Sequence, residues 1–258
     1  MGKAGAPPQP VAGRGAQPGA NSGAGTAVVY VHGLWWNGGE SWLLRRRLAA
    51  WYGWRTHVFR YSSMHERLDE VAARLRHFLD AVGGSEAGHP VECRRGPATT
   101  AGPDHTESAA GPACIHLLGH SLGGLVILHC LRRHPWAVPG RVVFMGTPAN
   151  DALVARGLSG NRVGGRLLGT VLPEALAGAG RCWDVDRELG LIAGSSPFGP
   201  GRLVVKFDGP NDGTVSVRET RLQGATAHLA LPVTHMGMLL SARVAREVGS
   251  FFEHGHFN

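Results

Sequence analysis

Residues Gly119-His120-Ser121-Leu122-Gly123-Gly124 lie between two apolar runs, Cys114-Ile115-His116-Leu117-Leu118 before them and Leu125 to Leu131 after them. The pattern reads as a buried strand, a sharp turn with Ser121 at its apex, and then a helix. Only small residues fit two positions to either side of that serine, which accounts for Gly119 and Gly123. The turn holds the serine backbone in a strained conformation and lifts Oγ above the sheet. The helix that follows directs its free N–H groups and positive dipole end at the same point, where an anionic oxygen would be favoured. The bland alternative is a Gly-rich βα turn carrying an idle serine.

The rest of the chain alternates strand and helix around this unit. Thr26-Ala27-Val28-Val29-Tyr30-Val31 reads as a first buried strand, with the loop His32-Gly33-Leu34-Trp35-Trp36-Asn37 after it. Leu44, Leu48 and Trp51 recur at helical spacing, and Gly53 closes that helix. Residues 56–61 read as a second strand. Ser63 and Glu66 form a capping box for a helix whose apolar stripe is Leu68, Val71, Ala72, Leu75, Leu79 and Val82. Residues 141–145 read as the strand after the serine helix, 203–207 as a fifth strand and 227–233 as a sixth, with a final helix over 236–252. This alternation predicts an α/β fold with a mostly parallel twisted sheet and helices on both faces, ligands binding above the carboxyl ends of the strands. Residues 1–25 form a Gly/Ala/Pro-rich tail, 26–253 one domain and 254–258 a frayed tail. Within the domain, 83–112 are expected as a flexible insertion and 149–200 as a cap over the sheet.

A serine hydroxyl needs a base within reach, and the base needs an orienting carboxylate. His235 is the histidine that falls between the last strand and the last helix, above the carboxyl end of the sheet. Asp212, in Asn211-Asp212-Gly213-Thr214-Val215, and Asp208 are the rival carboxylates; the Gly-supported turn favours Asp212, and Asp208 suits an Asx role. Two backbone N–H groups are needed for an oxyanion, and Leu34 and Leu122 are the candidates. Trp35, Trp36 and His120 are the candidate pocket-lining residues, and His32 is expected to brace its loop.

These pieces resemble the α/β-hydrolase superfamily, and within it the bacterial triacylglycerol-lipase and esterase branch with its relatives among GPI-inositol deacylases. The likeness rests on Tyr30-Val31-His32-Gly33-Leu34, Gly119 to Gly124, Gly146-Thr147-Pro148, Asn211-Asp212-Gly213-Thr214-Val215 and Thr234-His235. It implies the α/β-hydrolase fold, Ser121, Asp212 and His235 as a catalytic triad, and cleavage of carboxylic esters through an acyl-enzyme. The resemblance adds weight to Asp212, since the aspartate of Asn-Asp-Gly is the triad acid in such lipases. In the branch, a glycine commonly follows shortly after Thr-Pro; here the sequence continues Ala149-Asn150-Asp151. Some members bind a structural calcium, and no calcium ligands are identifiable here.

Composition narrows the partners. The formal charge is +7, carried almost wholly by arginine, yet no basic block is interleaved with aromatics, so no nucleic-acid groove is expected. Arg45-Arg46-Arg47 reads as a solvated helix face, and the basic balance leaves peripheral contact with acidic lipid open. The four cysteines, Cys93, Cys114, Cys130 and Cys182, lack metal spacing, and no cofactor or metal is expected. No transmembrane run and no secretory signal are found, so a cytoplasmic enzyme is expected. The substrate class is a small-molecule or lipid ester, with no oligomeric state specified. Two alternatives stay open: an acyltransferase using the same triad, and a non-catalytic binding protein on the same fold.

Overall fold

The computed structural model describes residues 25–84, 114–160, 162–178 and 182–258. Its strands are β1 (Thr26–Val31), β2 (Arg55–Phe59), β3 (Cys114–His120), β4 (Val142–Met145), β5 (Leu189–Gly194) and β6 (Ala227–Leu231). They pair in the order β2-β1-β3-β4-β5-β6, all parallel. Parallel strands need crossovers, and helices supply several of them: α1 (Trp42–Tyr52), α2 (Leu68–Gly83), α3 (Leu122–Arg133), then α4 (Leu153–Ser159), α5 (Arg162–Leu167) and α6 (Val171–Gly178). The chain ends in α7 (Gly237–Leu240) and α8 (Ala242–His254).

The strands are apolar at nearly every position because both faces are covered. Ala27, Val29 and Val31 point to one side with Ile115 and Leu117, into a core completed by Leu75 and Leu79 of α2 and Ile127 of α3. Val28, Tyr30 and Leu118 point to the other, against Leu44 and Leu48 of α1 and Val248, Phe251 and Phe252 of α8. The chain leaves β1 toward β2 on one side and returns to β3 on the other. The crevice between the carboxyl ends of β1 and β3 is therefore the topological switch point, where open parallel sheets bind ligands.

Four expectations need correction. The fifth strand is Leu189–Gly194, inside the stretch expected as cap, whereas Pro200–Leu203 is a single 3₁₀ turn and residues 204–207 are loop. A central strand is buried on both faces, and Lys206 in the expected run has no place there. The 149–200 stretch thus divides into the helices α4, α5 and α6 and a return to the sheet. Ser63 and Glu66 do not cap α2, which starts later: Ser63 Oγ accepts from Trp35 N at 3.1 Å, and Glu66 accepts from Ser62 N. The last helix breaks at Ser241, whose extended backbone separates α7 from α8 and whose Oγ caps α8 at Val244 N. The terminal residues pack back: Phe257 lies 5.1 Å from the Phe251 ring, and Asn258 N donates to Glu247 at 2.9 Å. The N-terminal tail up to residue 24 and most of the 83–112 insertion, including Cys93, lie outside the described residues.

Candidate active site

Ser121 sits between β3 and α3 with φ 55° and ψ −124°. It is one of two non-glycine residues at positive φ among the described residues, the other being Trp35. Such strain persists only where neighbours over-determine it. Here Ser121 N donates to Met145 O at 2.8 Å, and Ser121 O accepts from Gly124 N at 3.1 Å and from Thr147 Oγ1 at 2.9 Å. The flanking glycines have steric reasons. A Cβ on Gly123 would stand 2.1 Å from Val31 O, and one on Gly119 would stand 2.5 Å from Gly124 Cα.

His235 lies in the loop between β6 and α7, and Asp212 in a turn of the long β5–β6 connection. His235 Nδ1 donates to Asp212 Oδ2 at 2.7 Å, and His235 N donates to Asp212 O at 2.9 Å. The carboxylate is fully buried, and Oδ1 accepts from Thr214 N at 2.9 Å and Val215 N at 2.7 Å. With Nδ1–H committed to Asp212, the lone pair of the neutral ring sits on Nε2. Asp208, the rival carboxylate, is exposed, and the ion pair of His235 is with Asp212. Gly146, at φ 58°, leaves room for this pair: a Cβ there would be 3.0 Å from His235 Cε1 and Nδ1 and 3.2 Å from Asp212 Oδ2.

Ser121, His235, Leu34, Leu122, Trp35, Trp36 and His120 all line one cavity of about 500 Å³, whose remaining walls are mostly apolar. Ser121 and His235 line the same space, and no hydrogen bond joins their side chains. Leu122 is the first residue of α3, so its N–H has no partner within the helix. Gly33 permits the approach of the Leu34 loop, since a Cβ on it would touch Ser121 Cβ at 3.1 Å. His32 braces that loop: its ring stacks on Tyr61 at 4.3 Å, its Nδ1 donates to Gly33 O at 2.9 Å, and Tyr61 OH donates to His32 O at 3.0 Å. Burial holds the His32 imidazole below its ordinary pKa.

His120, the residue before Ser121, is buried. Its Nε2 donates to His235 O at 3.1 Å, its ring lies 4.8 Å from that of His235, and its Nδ1 has no partner. Burial, with the nearby His235 second, pushes its pKa down to about 3, so it stays neutral beside the base. Three further groups support the site. Ser63 fixes Trp35 N, the Trp35 indole reaches across to Leu167 O of α5 at 2.7 Å, and buried Glu219 joins Ser216 N to Leu153 N at the start of α4. The Ser63–Trp35, Trp35–Leu167 and Glu219–Leu153 contacts act over long sequence separations, which periodicity does not report, whereas Glu219 and Ser216 form a local Ser-x-x-Glu box. Among the described residues no cluster of histidine, cysteine, aspartate or glutamate is placed to hold a metal, and no helix is long and apolar enough to cross a membrane.

No protein-family model and no curated protein sequence matches the chain. Solved structures do. The lipase BlEst2 of Bacillus licheniformis in its propeptide form superposes with a TM-score of 0.57 at 17% identity, over 83% of this chain and 47% of that one. Phospholipase PlaB of Legionella pneumophila gives 0.55 at 13% identity, over 76% and 44%. The chain thus spans about half the length of each. An alpha/beta hydrolase enzyme, MGS-MChE2, from a lagoon-sediment metagenome matches nearly end to end, with a TM-score of 0.54 at 15% identity over 90% and 93%. A parallel sheet in the order β2-β1-β3-β4-β5-β6 with helices on both faces, shared with these structures, gives the chain the α/β-hydrolase fold.

Proposed function

We propose that the chain is a serine hydrolase that cleaves carboxylic esters through an acyl-enzyme on Ser121. The observation that carries this reading is the buried Asp212–His235 pair opening into the same apolar cavity as a strained, solvent-facing Ser121. His235 Nε2 takes the Ser121 proton as Oγ attacks the ester carbonyl. Ligand-free sites commonly hold this contact open, and it tightens when substrate is bound. Asp212 orients the imidazole and stabilises the imidazolium that forms. The N–H groups of Leu122 and Leu34 receive the developing oxyanion, and loss of one such donor typically costs on the order of 10² to 10³ in rate. His235 then returns the proton to the leaving alkoxide. In the second half it activates water, which releases the acid.

The apolar lining favours one second reading, transfer of the acyl group to an alcohol or thiol, because it disfavours water at the acyl-enzyme. Hydrolysis of p-nitrophenyl esters from short to long acyl chains, by wild type and Ser121→Ala together, tests the main reading. Turnover abolished in the variant supports it, and full activity in Ser121→Ala refutes it. Adding an alcohol and analysing products separates the two acceptors: free acid alone at every alcohol concentration excludes transfer.

A further inference from the structure

Among the described residues two other than glycine hold a left-handed backbone, Ser121 and Trp35, and both line the cavity. The turn before α3 accounts for Ser121. Trp35, at φ 66°, is the third residue of a turn that Trp36 N closes on Gly33 O at 3.5 Å. Leu34 before it is not left-handed, so the turn is type II, a form that ordinarily takes glycine or asparagine at its third position. The type I turn is the unstrained alternative for a tryptophan there. It is reached by flipping the Leu34–Trp35 peptide, which reverses the direction of Trp35 N–H.

Ser63 opposes that flip. Its Oγ, buried in the loop after β2, accepts from Trp35 N at 3.1 Å. Ser63 is itself fixed: its O accepts from Val171 N at 3.4 Å, and Gly169 lies so close that a Cβ on it would stand 2.5 Å from Ser63 O. From the other side the Trp35 indole donates to Leu167 O at 2.7 Å. Three segments, the loops after β1 and β2 and the junction of α5 with α6, thus close a ring of hydrogen bonds through Trp35. Leu34 shares the peptide that would flip, and a group aimed at a developing charge tolerates little displacement. We propose that Ser63 is a positioning residue for the reaction: by locking Trp35 in the left-handed conformation it keeps the Leu34 N–H aimed into the cavity. The catalytic half of this proposal rests on the ester-hydrolase reading; the lock does not.

Ser63→Ala and Trp35→Gly are made singly and together, and each protein is assayed for p-nitrophenyl acetate hydrolysis and urea unfolding. Ser63→Ala alone should lower kcat by at least about tenfold, toward the 10² to 10³ of a lost oxyanion donor, with KM little changed. Glycine adopts the left-handed conformation without strain, so in the Trp35→Gly background the same change should cost about twofold or less in kcat. Trp35→Gly also removes a cavity wall, so the decisive quantity is the ratio within each background. Stability should follow the opposite order. With tryptophan at 35 the flip releases strain and offsets part of the lost hydrogen bond, so Ser63→Ala should lower the urea midpoint less there than with glycine. Trp35→Ala beside Trp35→Gly repeats the test without touching Ser63: both lack the indole, and the glycine variant should be the faster. Wild-type kcat in Ser63→Ala, an equal loss of kcat in both backgrounds, or a Trp35→Ala protein as fast as Trp35→Gly overturns the proposal. A wild-type protein inert on every ester rejects the ester reading instead. The urea comparison then decides the lock alone, and equal midpoint shifts in the two backgrounds would reject it.

Discussion

Asp212→Asn separates orientation of the base from packing. Two backbone N–H groups, of Thr214 at 2.9 Å and Val215 at 2.7 Å, point at Oδ1. An amide in this place keeps its oxygen at that end, because only an acceptor satisfies both donors. Its NH2 then occupies the Oδ2 position, 2.7 Å from His235 Nδ1. Two donors cannot share that contact, so the ring must present an Nδ1 lone pair and carry its proton on Nε2. A ring in this tautomer cannot accept the Ser121 proton. A wrong tautomer with intact geometry costs about ten-thousand-fold in kcat, about 5 kcal/mol of barrier. The shape is preserved, so stability should change by about 1 kcal/mol or less. Asp212→Ala differs: it also leaves the Thr214 and Val215 N–H groups buried without acceptors, each costing about 1–3 kcal/mol. Kinetics on p-nitrophenyl acetate beside thermal denaturation distinguish the two. A folded Asp212→Asn protein with kcat within about tenfold of wild type would refute the orientation argument.

Two more outcomes follow from the same contacts. Gly146→Ala places a Cβ 3.0 Å from the His235 ring at a left-handed position. It should cost about 1–2 kcal/mol in urea unfolding and on the order of 10²-fold in kcat, and unchanged kcat would show the pair is not held by that gap. His116 and His120 are both held at a pKa of about 3 chiefly by burial. The unfolded chain takes up a proton at each below about pH 6.5 and the folded chain does not until about pH 3. Stability should therefore fall as pH drops through that window, by up to about 1.4 kcal/mol per pH unit for each histidine, and His116→Gln should make the slope shallower. Urea midpoints that stay flat across the window would contradict this.

Much of this arrangement is legible in the residues. The Gly119–Gly124 turn carries its own steric logic, and the structure shows each contact that demands it. The position of His235 follows from chain order, and the choice of Asp212 over Asp208 from a glycine-supported turn; the structure pairs Asp212 with His235 and leaves Asp208 exposed. The fifth strand is the instructive failure. Leu203-Val204-Val205-Lys206-Phe207 has the stronger β character, yet Leu189–Gly194 takes the place beside β4. Strand preference reflects fit to a packed surface. Gly190 lets Phe251 and Phe257 lie against the sheet, and Gly194 leaves room for Asp212 Cβ and Val233 O, so the weaker-looking segment is the one the neighbours accept. Ser63 departs from its expected capping role for the same kind of reason: its hydroxyl serves Trp35, 28 residues back, instead of its own helix. Long-range partners of this sort leave no local pattern.

The central claim is that Ser121 is the acylated nucleophile, and a fluorophosphonate probe tests it on the folded protein. Reaction followed by peptide mass analysis should place the adduct on Ser121, slowed greatly in His235→Ala and absent in Ser121→Ala. A folded wild-type protein that resists the probe, or an adduct that persists on the Ser121→Ala protein, would contradict the account.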